Sequence, residues 1–196
     1  MIGEWIRKQT ANAFQSVAQV VVRAGISANA VTLTGLALTM IAGYLIAIGQ
    51  HLAAGAMLCL GGLLDGLDGS VARISGEQSP FGAFLDSIID RFSESAAFFG
   101  ALFYFLSVES RLGIVVTFLA MVGSLLVSYA RARAEGLGLT MREGVLTRLE
   151  RVAVLVIGLL LGYLMVAISI IALLSICTVF QRIYLVWAGL HRPHGA

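Results

Sequence analysis

Charge is scarce in this chain. Only 12% of its 196 residues are Asp, Glu, Lys or Arg, where a soluble domain carries roughly a quarter. That excludes an ordinary soluble domain. With 59% hydrophobic residues and a mean hydropathy of +0.93, a polytopic membrane protein remains. Cysteine is scarce too. Cys59 and Cys177 both sit within apolar spans, which reads as buried packing and argues against a disulfide framework. His51, His191 and His194 show no metal-ligand spacing. The stretch Met1–Arg23 is polar and lacks an apolar core of signal-peptide length, so no cleavable signal is expected. The net charge of +2 says little by itself, and no nucleic-acid partner is expected.

What is present is a series of apolar runs. Six spans can be drawn: Val31–Gly49, Leu52–Arg73, Pro80–Leu106, Leu112–Arg133, Leu146–Val166 and Ala167–Leu190. Each is near the ~20 residues that cross a bilayer core. The last break, near Tyr163–Ala167, has apolar flanks and requires a very short turn. Of the 13 Lys and Arg, Arg111 alone falls on one side of such a bundle. The positive-inside rule then puts both termini at the cytoplasmic face of the cell membrane. Ahead of the first span, Ile6, Thr10, Ala13, Phe14, Val17 and Val21 share one helical face. Lys8, Asn12, Gln15, Gln19 and Arg23 share the other. That pattern suits a helix lying in the membrane interface. The expected fold is all-α and a single domain over 1–196: an interfacial helix in 1–27, then a six-helix transmembrane bundle in 28–192. The glycine pairs Gly62/Gly66 and Gly158/Gly162 permit close helix approach.

Four aspartates interrupt these spans: Asp65, Asp68, Asp86 and Asp90. A carboxylate at membrane depth costs several kcal/mol unless it is paired or coordinated. Asp65 and Asp68 are three apart, and Asp86 and Asp90 four apart, so each pair shares a helix face. The second span should end near Arg73–Gly76, and the third should start at Ser79-Pro80, a serine cap followed by proline. At 1.5 Å per residue, Asp68 and Asp65 lie about 9 and 13 Å in from the end of the second span, and Asp86 and Asp90 about 9 and 15 Å in from the start of the third. Two antiparallel neighbours would thus bring all four carboxylates to one depth. Such a set suits two bridged divalent ions, and oxygen-only ligands favour Mg²⁺ or Mn²⁺. Gly66, Gly69 and Gly82 remove bulk beside the acids, and Arg73 stands at the mouth, where it could hold a diphosphate. Glu94 continues the Asp86–Asp90 stripe and could pair with Arg91 at i,i+3. A cation pathway would distribute acids across the membrane. Here the last three spans carry none in their apolar interiors, which speaks against a transporter.

The pattern Asp65-x2-Asp68-Gly69-x2-Ala72-Arg73-x8-Gly82-x3-Asp86-x3-Asp90 resembles the signature of the CDP-alcohol phosphotransferases. The resemblance implies attack of an alcohol on the β-phosphate of a CDP-linked lipid, with CMP leaving. It implies that Asp65, Asp68 and Asp86 bind metal, and that Asp90 is the general base and also touches metal. Gly66, Gly69, Ala72, Arg73 and Gly82 would line the CDP pocket. Asn29 and Thr32 would join them, in a segment Ala28-Asn29-Ala30-Val31-Thr32 that resembles the family's Pro-Asn-x-Val-Thr with alanine in place of proline. A homodimer is also implied. Within the family, Ser128-Tyr129-Ala130-Arg131, Thr147-Arg148 and Gln181-Arg182 resemble the phosphatidylinositol-phosphate synthase branch. Ser128, Arg131, Arg148 and Arg182 would then hold the phosphate of inositol phosphate, arginine being suited to bidentate phosphate contact. Arg131 stands where lysine is usual, so glycerol phosphate or another polyol phosphate remains an alternative acceptor.

Overall fold

The computed structural model describes residues 14–140, 144 and 146–191, and no strand occurs among them. Helix α1 covers 14–23. Six more follow: α2 (Ala28–Ala47), α3 (His51–Ser75), α4 (Pro80–Ser107), α5 (Arg111–Glu135), α6 (Arg148–Leu160) and α7 (Leu164–Leu190). Helix starts coincide with side-chain oxygens that accept otherwise orphaned backbone N–H groups. Ser27 accepts from Ala30, Ser79 from Gly82 and Ser110 from Gly113. Thr147 and Glu150 form a reciprocal capping box at α6. Pro80 sits in the first turn of α4, where its missing N–H is no loss.

Helices α2, α3, α5 and α7 are long and apolar enough to cross a membrane. Helix α4 has 28 residues but carries Asp86, Asp90, Arg91 and Glu94. Helix α6 departs from expectation. It has only 13 residues, a length of about 20 Å. The helix stops at Leu160 because Gly162 takes a left-handed φ of 76°. There the Tyr163 N–H donates to the Gly158 carbonyl and the Gly162 N–H to the Leu159 carbonyl, the paired bonds of a Schellman turn. The break, residues 161–163, is as short as expected and overlaps the expected Tyr163–Ala167 position at Tyr163.

Helix α2 packs on α3 and α4, α3 on α6, α6 on α7, α7 on α5, and α5 on α4. The six helices thus close a ring, filled by Ile46, Phe98, Leu159, Ile168 and Ile171. The expected direct packing of α3 against α4 is corrected by this arrangement. Those two helices, although joined by the Gly76–Ser79 turn, are not among the main packing pairs. Their facing sides carry carboxylates, which repel and cannot interdigitate as apolar side chains do; α2 bridges them. Its approach to α4 is close enough that a Cβ on Gly100 would collide with the Gly43 carbonyl.

Helix α1 packs on this ring through Phe14, Ala18, Val21 and Val22, against Leu67 and Val71. The expected apolar face included Val17, which is 52% exposed, and Ala18 takes the buried place. The Phe14 ring sets that rotation by lying over Gly66. Ile6, Lys8, Thr10, Asn12 and Ala13 lie outside the described residues. Cys59 and Cys177 are free and exposed, contrary to the buried packing expected. In a bilayer protein the outer surface is apolar as well, so apolar flanks do not imply burial.

Candidate active site

Three of the four aspartates converge. Asp65 of α3 and Asp86 and Asp90 of α4 each offer a carboxylate oxygen, and these oxygens lie within 4.8 Å of one another. Arg148, at the first position of α6, points into the same place. Its Nη1 is 2.6 Å from Asp65 Oδ2 and 2.8 Å from Asp90 Oδ1. Asp90 Oδ1 is buried and receives no well-directed hydrogen bond. Arg91 stands farther off, 3.7 Å from Asp90 Oδ2, and donates to the Ser87 carbonyl. Glu94 was expected to pair with Arg91. It pairs instead with Arg151 of α6, at 2.6 Å and 2.9 Å, because the two side chains meet inside the ring, whereas Arg91 turns back along its own helix.

Asp68 is held separately. Thr32 Oγ1 of α2 donates to its Oδ2 at 2.6 Å. Asp68 and Asp86 line a cavity of about 330 Å³ together with Asn29, Thr32, Gly69, Ala72, Arg73 and Gly82. Eight of the residues assigned from sequence to CDP-lipid or metal thus meet around one space. Gly66 does not line it; a Cβ there would lie 3.2 Å from the Phe14 ring, so its smallness seats α1. Arg73 donates to Ser70 Oγ at 2.9 Å. Glu77, Gln78 and Ser79 also line the cavity, and sequence reasoning did not single them out. Their place in the turn between the two aspartate helices was the available signal. Glu77 accepts from the Ala28 N–H at 3.1 Å, tying that turn to the start of α2.

A second, larger cavity, about 720 Å³, reaches the cluster at Asp90. Asp90, Ser128, Arg131, Arg148, Arg151 and Arg182 are among its lining residues. The four residues assigned to an acceptor phosphate are therefore together. Arg182 is buried, with Nη1 donating to the Val127 carbonyl, and its Nε is buried without a hydrogen-bond partner among the described residues. Arg131 is half exposed and pairs with Glu135 at 2.9 Å. Arg151, not among the residues assigned from sequence, lines this cavity too.

The donor chemistry of the aspartate cluster fits a hard divalent cation: all ligands are carboxylate oxygens, and they converge from two helices. Asp65, Asp86 and Asp90 could hold such an ion, with Asp68 nearby. The carboxylates line both cavities: Asp68 and Asp86 the one with one arginine, Asp90 the one with several. That arrangement can bring two anionic substrates to one metal site.

The family model for CDP-alcohol phosphatidyltransferases matches residues 25–188. The chain belongs to the CDP-alcohol phosphatidyltransferase family. It is an enzyme, a transferase of phospholipid synthesis, and an integral membrane protein. Among its relatives is an archaetidylinositol phosphate synthase of Pyrococcus horikoshii, 35% identical over 91% of this chain and 93% of that one. Among solved structures, the phosphatidylinositol phosphate synthase of Mycobacterium tuberculosis with CDP-DAG bound matches with a TM-score of 0.84 at 28% identity, covering 93% of this chain and 98% of that one. The same mycobacterial synthase in complex with manganese and citrate matches with a TM-score of 0.82 at 29% identity, covering 93% of each chain. The all-oxygen aspartate cluster of this phosphatidyltransferase agrees with a hard divalent metal such as manganese.

Proposed function

We propose that the protein transfers a phosphatidyl group, or its archaeal ether counterpart, from a CDP-lipid to inositol phosphate and releases CMP. The observation that carries this reading is the pair of cavities that meet one carboxylate cluster, the second lined by Arg131, Arg148 and Arg182. Mg²⁺ or Mn²⁺, two ions per site, would be held by Asp65, Asp68, Asp86 and Asp90. When bound, they neutralise the diphosphate and stabilise charge on the departing CMP. Asn29, Thr32, Gly69, Ala72, Arg73 and Gly82 surround the CDP moiety, with Arg73 as the cation for its phosphates. Ser128, Arg131, Arg148 and Arg182 receive the phosphate of the acceptor. Asp90, which faces the acceptor cavity, takes the proton from the attacking hydroxyl as the new bond to the β-phosphorus forms and the bond to CMP breaks.

The wider reading has α2 to α7 as six membrane-crossing helices, α1 in the interface, and the site and both termini on the cytoplasmic side. The chain works as one domain and pairs as a homodimer. The positive-inside pattern and the outward-facing apolar residues support this. The lipid reaches the site from the bilayer, because its acyl chains leave the apolar phase only at high cost.

The test is CMP release by purified protein in detergent with CDP-diacylglycerol and Mg²⁺. The acceptors are inositol 1-phosphate, glycerol 3-phosphate, free inositol, serine and none. Release that depends on inositol phosphate is the expected result. Release with another acceptor keeps the aspartate chemistry and overturns the acceptor assignment. A CDP-archaetidyl lipid run in parallel separates a wrong donor from a wrong acceptor.

A further inference from the structure

Beneath the aspartates lies an ion pair for which the reaction just described has no use. Glu94 is 8% exposed and Arg151 only 1%. Arg151 Nε and Nη2 meet the two carboxylate oxygens of Glu94 at 2.6 and 2.9 Å, and Nη1 donates to the Leu146 carbonyl at 3.4 Å. Glu94 stands one turn beyond Asp90 on α4, and Arg151 one turn beyond Arg148 on α6. Asp90–Arg148 and Glu94–Arg151 are therefore parallel rungs between the same two helices. These helices are not among the ring's main packing pairs; near the aspartates the two charged rungs are the directed contacts that join them.

The network continues into α7. The Leu146 N–H donates to Thr178 Oγ1 at 3.2 Å, and Thr178 lies one turn before Arg182. From Glu94 the contacts run through Arg151 to the entry of α6, which carries Arg148, and on to the helix that carries Arg182. Three of the arginines around the larger cavity are thereby placed relative to α4 and its Asp90.

We propose that Glu94 is a positioning residue: through Arg151 it fixes the arginine-lined cavity in register with the Asp90 carboxylate, and so governs capture of the phosphorylated acceptor. The inference rests on the acceptor-phosphate reading of that cavity. Its physical basis is that a buried ion pair contributes little net stability compared with an apolar pair of similar volume, yet fixes geometry through directed, bidentate bonds. A purely structural pair would be replaceable by apolar side chains with no loss of function. A positioning pair would not.

The experiment compares wild type, Glu94→Gln and the double variant Glu94→Met/Arg151→Met. Each is measured for thermal unfolding in detergent, Mn²⁺ binding, and KM for CDP-lipid and for acceptor, using whichever acceptor supports CMP release by wild type. That choice keeps the test independent of the acceptor's identity. If no phosphorylated acceptor works with wild type, the parent reading fails on its own. The expected result is a KM for the acceptor raised about tenfold or more in both variants, with KM for CDP-lipid and Mn²⁺ affinity unchanged. The double variant should be folded and at least as heat-stable as Glu94→Gln. A folded double variant with wild-type acceptor KM overturns the proposal. So does a variant in which acceptor KM, CDP-lipid KM and Mn²⁺ affinity all move together, because that is the signature of general damage.

Discussion

Thr32 on α2 donates to Asp68 on α3, its Oγ1 2.6 Å from Oδ2. The same hydroxyl lies 3.1 Å from the Ala28 carbonyl, but it has one proton, and the shorter contact to a carboxylate is the stronger. A neutral side chain from a third helix thus orients one of the four acids. Thr32→Val keeps the shape and removes the bond. Mn²⁺ affinity in detergent, read by electron paramagnetic resonance, should fall about tenfold. Unchanged affinity would separate Thr32 from the metal site.

Asp90→Asn should leave the protein folded and able to bind CDP-lipid while lowering single-turnover CMP release by about 100-fold or more. Asparagine keeps the shape of the side chain but cannot take up the hydroxyl proton. Near-normal turnover in a folded variant would remove Asp90 from the proton-transfer role.

Arg131 and Arg148 should differ in kind. Arg131 is half exposed and forms its ion pair with Glu135, away from the aspartates, so Arg131→Ala should raise KM for the acceptor about tenfold and leave kcat alone. Arg148 contacts Asp65 and Asp90 directly, so Arg148→Ala should raise acceptor KM and lower kcat as well. Steady-state kinetics with each substrate varied in turn distinguishes these outcomes. Identical profiles would mean that the aspartate contacts of Arg148 do not matter to the reaction.

Glycine-to-alanine changes should depend on position. Gly100→Ala drives a methyl into the Gly43 carbonyl and should destabilise the protein by about 1–3 kcal/mol. At Gly62 the nearest atom to an added Cβ is Val152 Cγ1 at 3.7 Å, an ordinary contact, so Gly62→Ala should be tolerated. Thermal unfolding of the two variants side by side checks the contrast.

The sequence made the aspartates legible because their spacing is local: i,i+3 and i,i+4 within helices whose ends are marked by Gly76, Ser79 and Pro80. The same local rule misdirected Glu94 toward Arg91, since its partner Arg151 lies 57 residues away and no periodicity links them. The short α6 was hidden for a different reason. Its stop signal, Gly162, is one of 22 glycines in the chain, and apolar residues continue on both sides. The role of α2 as bridge between the acid-bearing helices was also invisible, because it depends on backbone approach at Gly43 and Gly100 and on one hydroxyl, Thr32. The arginines around the larger cavity were found through motif resemblance, whereas their mutual placement by Arg151 and Thr178 required the fold.

The crossing of α2 and α4 at Gly43 and Gly100 behaves as a fulcrum. From Gly100 back to Asp90 is about 15 Å of helix. A tilt of about 4° at the crossing would swing that carboxylate through about 1 Å, a displacement large enough to slow a reaction that depends on alignment. Two residues with no functional group at all therefore stand where a small change of angle would move Asp90. Bulk added at the crossing should disturb the alignment of that carboxylate together with the stability of the fold.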